Sequence, residues 1–76
     1  MEENIIKIKL EKLLTGGCEV QVWHPTQLIS VEIVSEKAIV LPSYAIDFLV
    51  SLHIKEIQYG YEHVSHIHHV TFKVEG

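Results

Sequence analysis

Short runs in which apolar and polar residues alternate are the feature that most constrains the fold of this chain. Apolar residues occupy every second position at 20–22, within 28–34 and at 70–74. Because successive side chains of a β-strand point to opposite faces of a sheet, this period of two is typical of strands with one buried face. Glycine and proline lie between several of the runs, as expected for turns between short strands. The pattern therefore predicts a small antiparallel sheet.

We expect two N-terminal hairpins. In the first, a strand at residues 6–10 returns through a turn at residues 15–17 as a strand at residues 20–22. In the second, residues 28–34 return as residues 38–41 after a short polar turn. With the C-terminal strands, this assignment makes more than half of the chain β, which exceeds the usual fraction, so we expect some strands to be shorter.

The N-terminal run has two interpretations. Ile6, Ile8 and Leu10 alternate with charged residues, which favours a strand. A helix through Ile6, Leu10, Leu13 and Leu14 is the alternative, because the intervening Glu and Lys residues are good helix formers. The strand is the interpretation we favour.

One segment has clear helical periodicity. Ala45, Phe48, Leu49 and Leu52 recur at helical spacing, and Ser43 is the expected N-cap. Further apolar residues widen this stripe, which indicates a helix that is covered by a sheet, or by a sheet on one side and a partner on the other. We predict an α+β fold, a small antiparallel β-sheet (two N-terminal hairpins plus C-terminal strands) packed on a single α-helix at about residues 43–53.

The C-terminal part is predicted to complete this domain, which spans residues 1–76. A short strand around residues 57–59 precedes a last strand at about 65–75. Val70 and Phe72 are expected to face the core together with Phe48, Leu49 and Leu52 of the helix, a set that we predict to be the centre of the core.

Composition excludes some classes of function. The chain has 76 residues, a formal net charge of −4 and six Lys plus Arg residues, all of them lysine. Arginine is preferred for reading guanine and gripping phosphate, so we expect no nucleic-acid partner. No apolar run approaches the ~20 residues that span a bilayer, so we expect no membrane partner. The lone Cys18 suits a reducing compartment, which predicts a cytoplasmic location.

Four histidines fall within seven residues near the C-terminus. Imidazole is the commonest metal ligand in proteins, and His66 and His68 are two apart, hence on one face of a strand. A zinc-like divalent metal is the only cofactor indicated, with His63 as the nearest third ligand and His53 or His24 as more remote candidates. A solvated strand and a pH-dependent switch are the competing interpretations, and the solvated strand is the one we favour.

Three aromatic residues are candidates for an interface. Trp23 has the opposite parity from the valines of its strand, so it is expected to point away from the core. Tyr59 and Tyr61 share one strand face. Amphipathic aromatic side chains are enriched at the centres of protein interfaces. Trp23, Tyr59 and Tyr61 are therefore predicted to contact another protein.

The function indicated is a small non-enzymatic module for protein–protein interaction or regulation, expected to form a homodimer. No set of residues forms a catalytic motif, so no catalytic residue is assigned. Small acidic proteins of this kind include inhibitors and accessory proteins of phages and plasmids, which is an association and not a deduction. A metal-binding protein built on the histidine cluster and a small-molecule-binding domain are the alternatives.

Overall fold

The computed structural model of this chain describes residues 3–14 and 17–76. The turn predicted at Thr15 and Gly16 lies outside these residues. In chain order, the described elements are α1 (Glu3–Leu13), β1 (Glu19–Trp23), β2 (Ile29–Ser35), α2 (Ser43–Ser51), β3 (Ile54–Glu62) and β4 (Ile67–Val74). The α+β class and the antiparallel sheet are confirmed.

The strands of the described residues form one antiparallel sheet in the order β1-β2-β4-β3. The two central strands, β2 and β4, are each paired on both sides. The two edge strands, β1 and β3, are each paired on one side only. Edge strands present unpaired backbone groups, so these are the places where another chain can add to the sheet.

The strand predicted at residues 6–10 is wrong, because these residues belong to α1. Ile6 and Leu10 are four apart, and both are completely buried, which is the spacing of one helix face. Ile8, which a strand would bury with them, is exposed. The helical alternative is therefore the correct one, and the described residues contain two helices where one was predicted.

The second predicted hairpin is also wrong, because residues 38–41 form no strand. Strand β2 is paired with β1 along one edge and with β4 along the other, so no edge of β2 remains for a returning arm. Ile39 and Leu41 pack against the core from a loop instead. The hairpins that do form are β1–β2 and β3–β4.

Helix α2 begins at residue 43, the start of the predicted range. Pro42 is its N-cap, and the Pro42 carbonyl accepts hydrogen bonds from the amides of Ala45 and Ile46 at 3.0 and 3.1 Å. The prediction that Ser43 caps the helix is wrong, since Ser43 is the first helical residue and no side chain caps this end. The helix ends at Ser51, and His53 has a φ of 60°, a left-handed conformation that stops further helical turns.

Both helices pack on the same face of the sheet, which we call the core face; the opposite one is the outer face. The five residues predicted as the centre of the core are all buried, which confirms that prediction. They belong to one cluster that also contains Ile6 and Leu10 of α1. Neither of the helices in the described residues is long and apolar enough to cross a membrane.

Candidate interaction surface

The core face of the sheet is uncovered at β3. Ile57 lies directly opposite Phe72 of β4, and Tyr59 lies directly opposite Val70, so all four side chains are on the core face. Phe72 and Val70 are buried, but Ile57 and Tyr59 are 59% and 63% exposed. The helices therefore cover β4 and stop short of β3.

Helix α2 has an exposed apolar side toward this uncovered strand. Ile46 and Val50 are exposed, although both are large aliphatic residues of a helix that packs on a sheet. They line a groove of about 340 Å³ together with Ile54 and Ile57 of β3, and every residue that lines this groove is apolar. We call Ile46, Val50, Ile57, Tyr59, Tyr61 and this groove the β3 surface.

The lysine and the bulge that could protect the edge at β3 are confined to the start of the strand. Natural edge strands are protected by lysine, proline, inward-pointing charges or bulges. A register shift between Ile54 and Glu56 marks a bulge at the start of β3, where its one lysine, Lys55, lies. From residue 56 to residue 62 the pairing is regular, and this stretch contains no lysine and no proline. The regular part of the edge is therefore open to pairing.

Two tyrosine–histidine hydrogen bonds lie at the end of this strand. The Tyr59 hydroxyl is 2.7 Å from Nδ1 of His68, and the Tyr61 hydroxyl is 2.9 Å from Nδ1 of His66. The ring of Tyr61 also meets the ring of His63 edge-on, with centroids 5.0 Å apart, and lies 4.5 Å from that of His68. The three histidines therefore surround one tyrosine.

This cluster follows from the β3–β4 hairpin. Tyr61 and His68 are directly opposite each other, while His63 and His66 are in the turn that joins the strands. His66 has a φ of 59°, so the turn reverses sharply just before β4 begins. The period of two then puts Tyr59, Tyr61 and His68 on the same face, and the turn brings the other rings beside them.

The histidine cluster does not form a complete metal site. In residues 3–14 and 17–76, no group of three or more His, Cys, Asp or Glu residues is arranged to hold a metal ion. The remote candidates, His24 and His53, follow β1 and α2 at the opposite end of the sheet. Nδ1 of His24 lies 3.5 Å from Oε1 of Glu3. The assignment of His63, His66 and His68 to a metal stays a prediction.

His69 has a structural role on the outer face. It is directly opposite Gly60, and a Cβ atom on Gly60 would collide with the His69 ring. Glycine therefore leaves room for the imidazole beside β3, and an aromatic ring over a glycine is a recognised way of covering that position in a sheet. His69 is accordingly separated from the histidines of the core face.

Trp23 does not belong to the same surface as the two tyrosines. It lies on the outer face of β1, 39% exposed, whereas Tyr59 and Tyr61 lie on the core face of β3 at the other edge. The expectation that Trp23 points away from the valine side chains agrees with this position. A single flat partner cannot contact Trp23 and the tyrosines together.

The sequence prediction of interface residues did not include Ile46, Val50 and Ile57. A signal was present, because the apolar stripe of α2 is wider than one sheet would cover.

Comparison of the chain with protein-family models, curated proteins and solved structures found no match.

Proposed function

We propose that this protein is a non-enzymatic protein–protein interaction module and that the β3 surface is its contact site. The observation that carries the proposal is the continuous run of exposed apolar side chains, from Ile46 and Val50 on α2 to Ile57 and Tyr59 on β3. Contiguous exposed apolar patches on small proteins commonly mark interaction sites.

The chemistry of the surface suits a protein partner better than a small molecule. Small-molecule sites usually carry a few polar groups that orient the ligand. The groove beside Ile57 has no polar lining residue and is open to solvent. Tyr59 and Tyr61 provide hydroxyl groups at the rim of the apolar area, which matches the apolar centre and polar rim of protein interfaces.

The remaining parts of the proposal rest on the sequence. The half-buried Cys18 is a free thiol, which supports a reducing, cytoplasmic setting. A net charge of −4 with no arginine supports a protein partner over a nucleic acid. The module is proposed to act by occupying a surface of its partner, as a regulator or an inhibitor does.

Selection of short random peptides on the immobilised protein tests this contact site. Peptides enriched on the parent should bind the Ile57→Glu variant at least about tenfold more weakly, because a charge then lies in the middle of the apolar surface. Ile57 is largely exposed, so the variant should keep the parent's circular dichroism spectrum.

The matched control is Ile8→Glu, which introduces the same charge at an equally exposed isoleucine on α1. The peptides should bind this control as they bind the parent. Equal binding to the parent and to Ile57→Glu, loss of binding on Ile8→Glu alone, or failure to enrich any peptide would each contradict the proposal.

A further inference from the structure

We infer that the β3 surface binds a second copy of this chain, by antiparallel pairing of the two β3 strands about Gln58. This inference rests on the proposed function and names its partner. The sheet would then continue across the two chains as eight strands. The inference depends on the open edge, the register of β3, its charges and the exposed area.

The open edge of β3 permits such pairing. Its pairing with β4 is regular from Glu56 to Glu62, and its other edge has no strand beside it in the part of the chain that the structure describes. The edge at β1 is different, because that strand has only five residues and α1 packs against it. Long unprotected edges are the ones that add a further strand.

The distribution of charge along β3 favours self-pairing in the antiparallel sense. Lys55 is at the beginning of the strand and Glu62 is its last residue. Antiparallel pairing of two copies puts the Lys55 end of each strand beside the Glu62 end of the other, so each end of the seam carries charges of both signs, while Lys55 also lies 3.2 Å from Glu75 of its own chain. Parallel pairing would instead put Lys55 near the second copy's Lys55 and Glu62 near its Glu62, so like charges would meet at each end.

The acidic residues of β3 disfavour one of the registers near the middle of the strand. Two residues directly opposite each other in an antiparallel pair point to the same face of the sheet. The twofold axis must therefore lie where a residue is opposite its own copy in the second chain, and each register is named by that residue. An axis at Tyr59 would put Glu56 directly opposite the second copy's Glu62, at two places, which is unfavourable. An axis at Gln58 puts Glu56 opposite Gly60 and removes this repulsion.

The register about Gln58 also joins the two apolar surfaces. Ile57 of each copy then lies directly opposite Tyr59 of the other on the core face. The ring of that tyrosine would cover the mouth of the groove beside Ile57. Ile46 and Val50 of the two α2 helices would approach the same seam from either side.

The area involved matches that of a weak dimer. The exposed parts of Ile46, Val50, Ile57, Tyr59 and Tyr61 amount to roughly 500 Å² per chain, given the size of such side chains. Two copies, with the backbone of both edges, would bury on the order of 1,000–1,200 Å², near the lower limit for a specific interface. An interface of this size is expected to be weak, so the dimer should form only at high protein concentration.

Cysteine cross-linking tests the register, in a Cys18→Ser background that removes the native thiol. Gln58→Cys puts two thiols opposite each other across the axis, where the Cα separation of paired strands allows a disulfide. Gln21→Cys is the matched control, because Gln21 is an exposed glutamine in the same row of the outer face, at the β1 edge. In oxidised glutathione, the Gln58→Cys chain should form covalent dimer at least about tenfold faster than the control.

Sedimentation of the parent tests the association itself. It should be a dimer at about 500 µM and a monomer at about 1 µM, and Ile57→Glu should remain monomeric throughout while Ile8→Glu behaves as the parent. A parent that is monomeric at the higher concentration, or equal cross-linking rates for the two cysteine variants, would overturn the inference. The peptide selection is done with dilute monomer, so the proposed contact site can stand or fail independently of the dimer.

Discussion

The two edges of the sheet differ sharply in what covers them. Val20 on β1 and Ile57 on β3 are apolar residues on the same face of the sheet, yet Val20 is 2% exposed and Ile57 is 59% exposed. Helix α1 packs against β1. The buried side chains of α2 belong to the same cluster as those of the central strands β2 and β4. No third helix of the described residues lies over β3.

This difference shows that burial depends on where the helices lie and not on the hydrophobicity of a strand. The covered side provides the stability of the fold, since its residues form the buried cluster. On the open side, β3 is held mainly by its antiparallel pairing with β4. The open side is therefore available for contact with another molecule at small cost to the folded chain.

The sharpest way to test this contrast is to remove one side chain from each side. Phe48→Ala should lower the free energy of unfolding by about 3–5 kcal/mol, because Phe48 is buried in the core. Ile57→Ala should lower it by less than about 1 kcal/mol in dilute monomer, because most of this side chain is already in water. Urea denaturation at low protein concentration gives both values.

A similar cost for the two variants would contradict the division into covered and open sides. Ile57→Ala could instead lower the free energy of unfolding only at high protein concentration. Ile57 would then be buried by association of two chains, as the proposed dimer requires.

The pairing that holds β3 is tested at Gly60. Gly60→Ala should destabilise the protein by about 1 kcal/mol, because the new methyl group must displace the His69 ring, and ring movement limits the cost. In a His69→Ala background the same change should be neutral or stabilising, since alanine has less freedom than glycine in the unfolded chain. The effect of Gly60→Ala on the free energy of unfolding, measured by urea denaturation in both backgrounds, should therefore change from destabilising to neutral or stabilising.

An unchanged cost of Gly60→Ala in the His69→Ala background would show that the imidazole does not limit this position. The contact between β3 and β4 on the outer face would then need another explanation.

The smallest effect is expected from zinc. The cluster presents His66 and His68 with no arranged third ligand among the described residues, so zinc should raise the melting temperature of the parent by less than about 2 °C. The variant carrying both His66→Ala and His68→Ala should respond equally. Thermal denaturation with and without zinc measures both shifts.

A shift of several degrees in the parent that is lost in the double variant would establish a folded metal site. The open side would then have a second function, built on the hairpin turn next to the tyrosines.

The C-terminal strand and the second helix were predictable because their patterns are unambiguous. Val70, Phe72 and Val74 alternate strictly and are buried, and the spacing of Phe48, Leu49 and Leu52 fits only a helix. At the N-terminus, Ile6 and Leu10 are four apart, which fits a helix, and Ile8 between them fits a strand. Such short runs satisfy both periods, so propensity and packing decide between them.

The candidate surface was predictable only in part. The tyrosines were chosen correctly as members of one strand face, and their sequence spacing was enough for that. Trp23 was grouped with them because aromatic character does not indicate which edge of the sheet a residue occupies. Ile57 was missed because an exposed isoleucine and a buried one look alike in a sequence.

The sequence by itself determined the α+β class, the core residues of α2 and β4, and the shared face of Tyr59 and Tyr61. These features depend on local periodicity, which is a property of residues close together in the chain. Only the tertiary structure decided that residues 38–41 form no strand and that β3 is an uncovered edge. Those outcomes depend on which strand edges are already paired and where the helices lie, and both are set by contacts between segments far apart in the sequence.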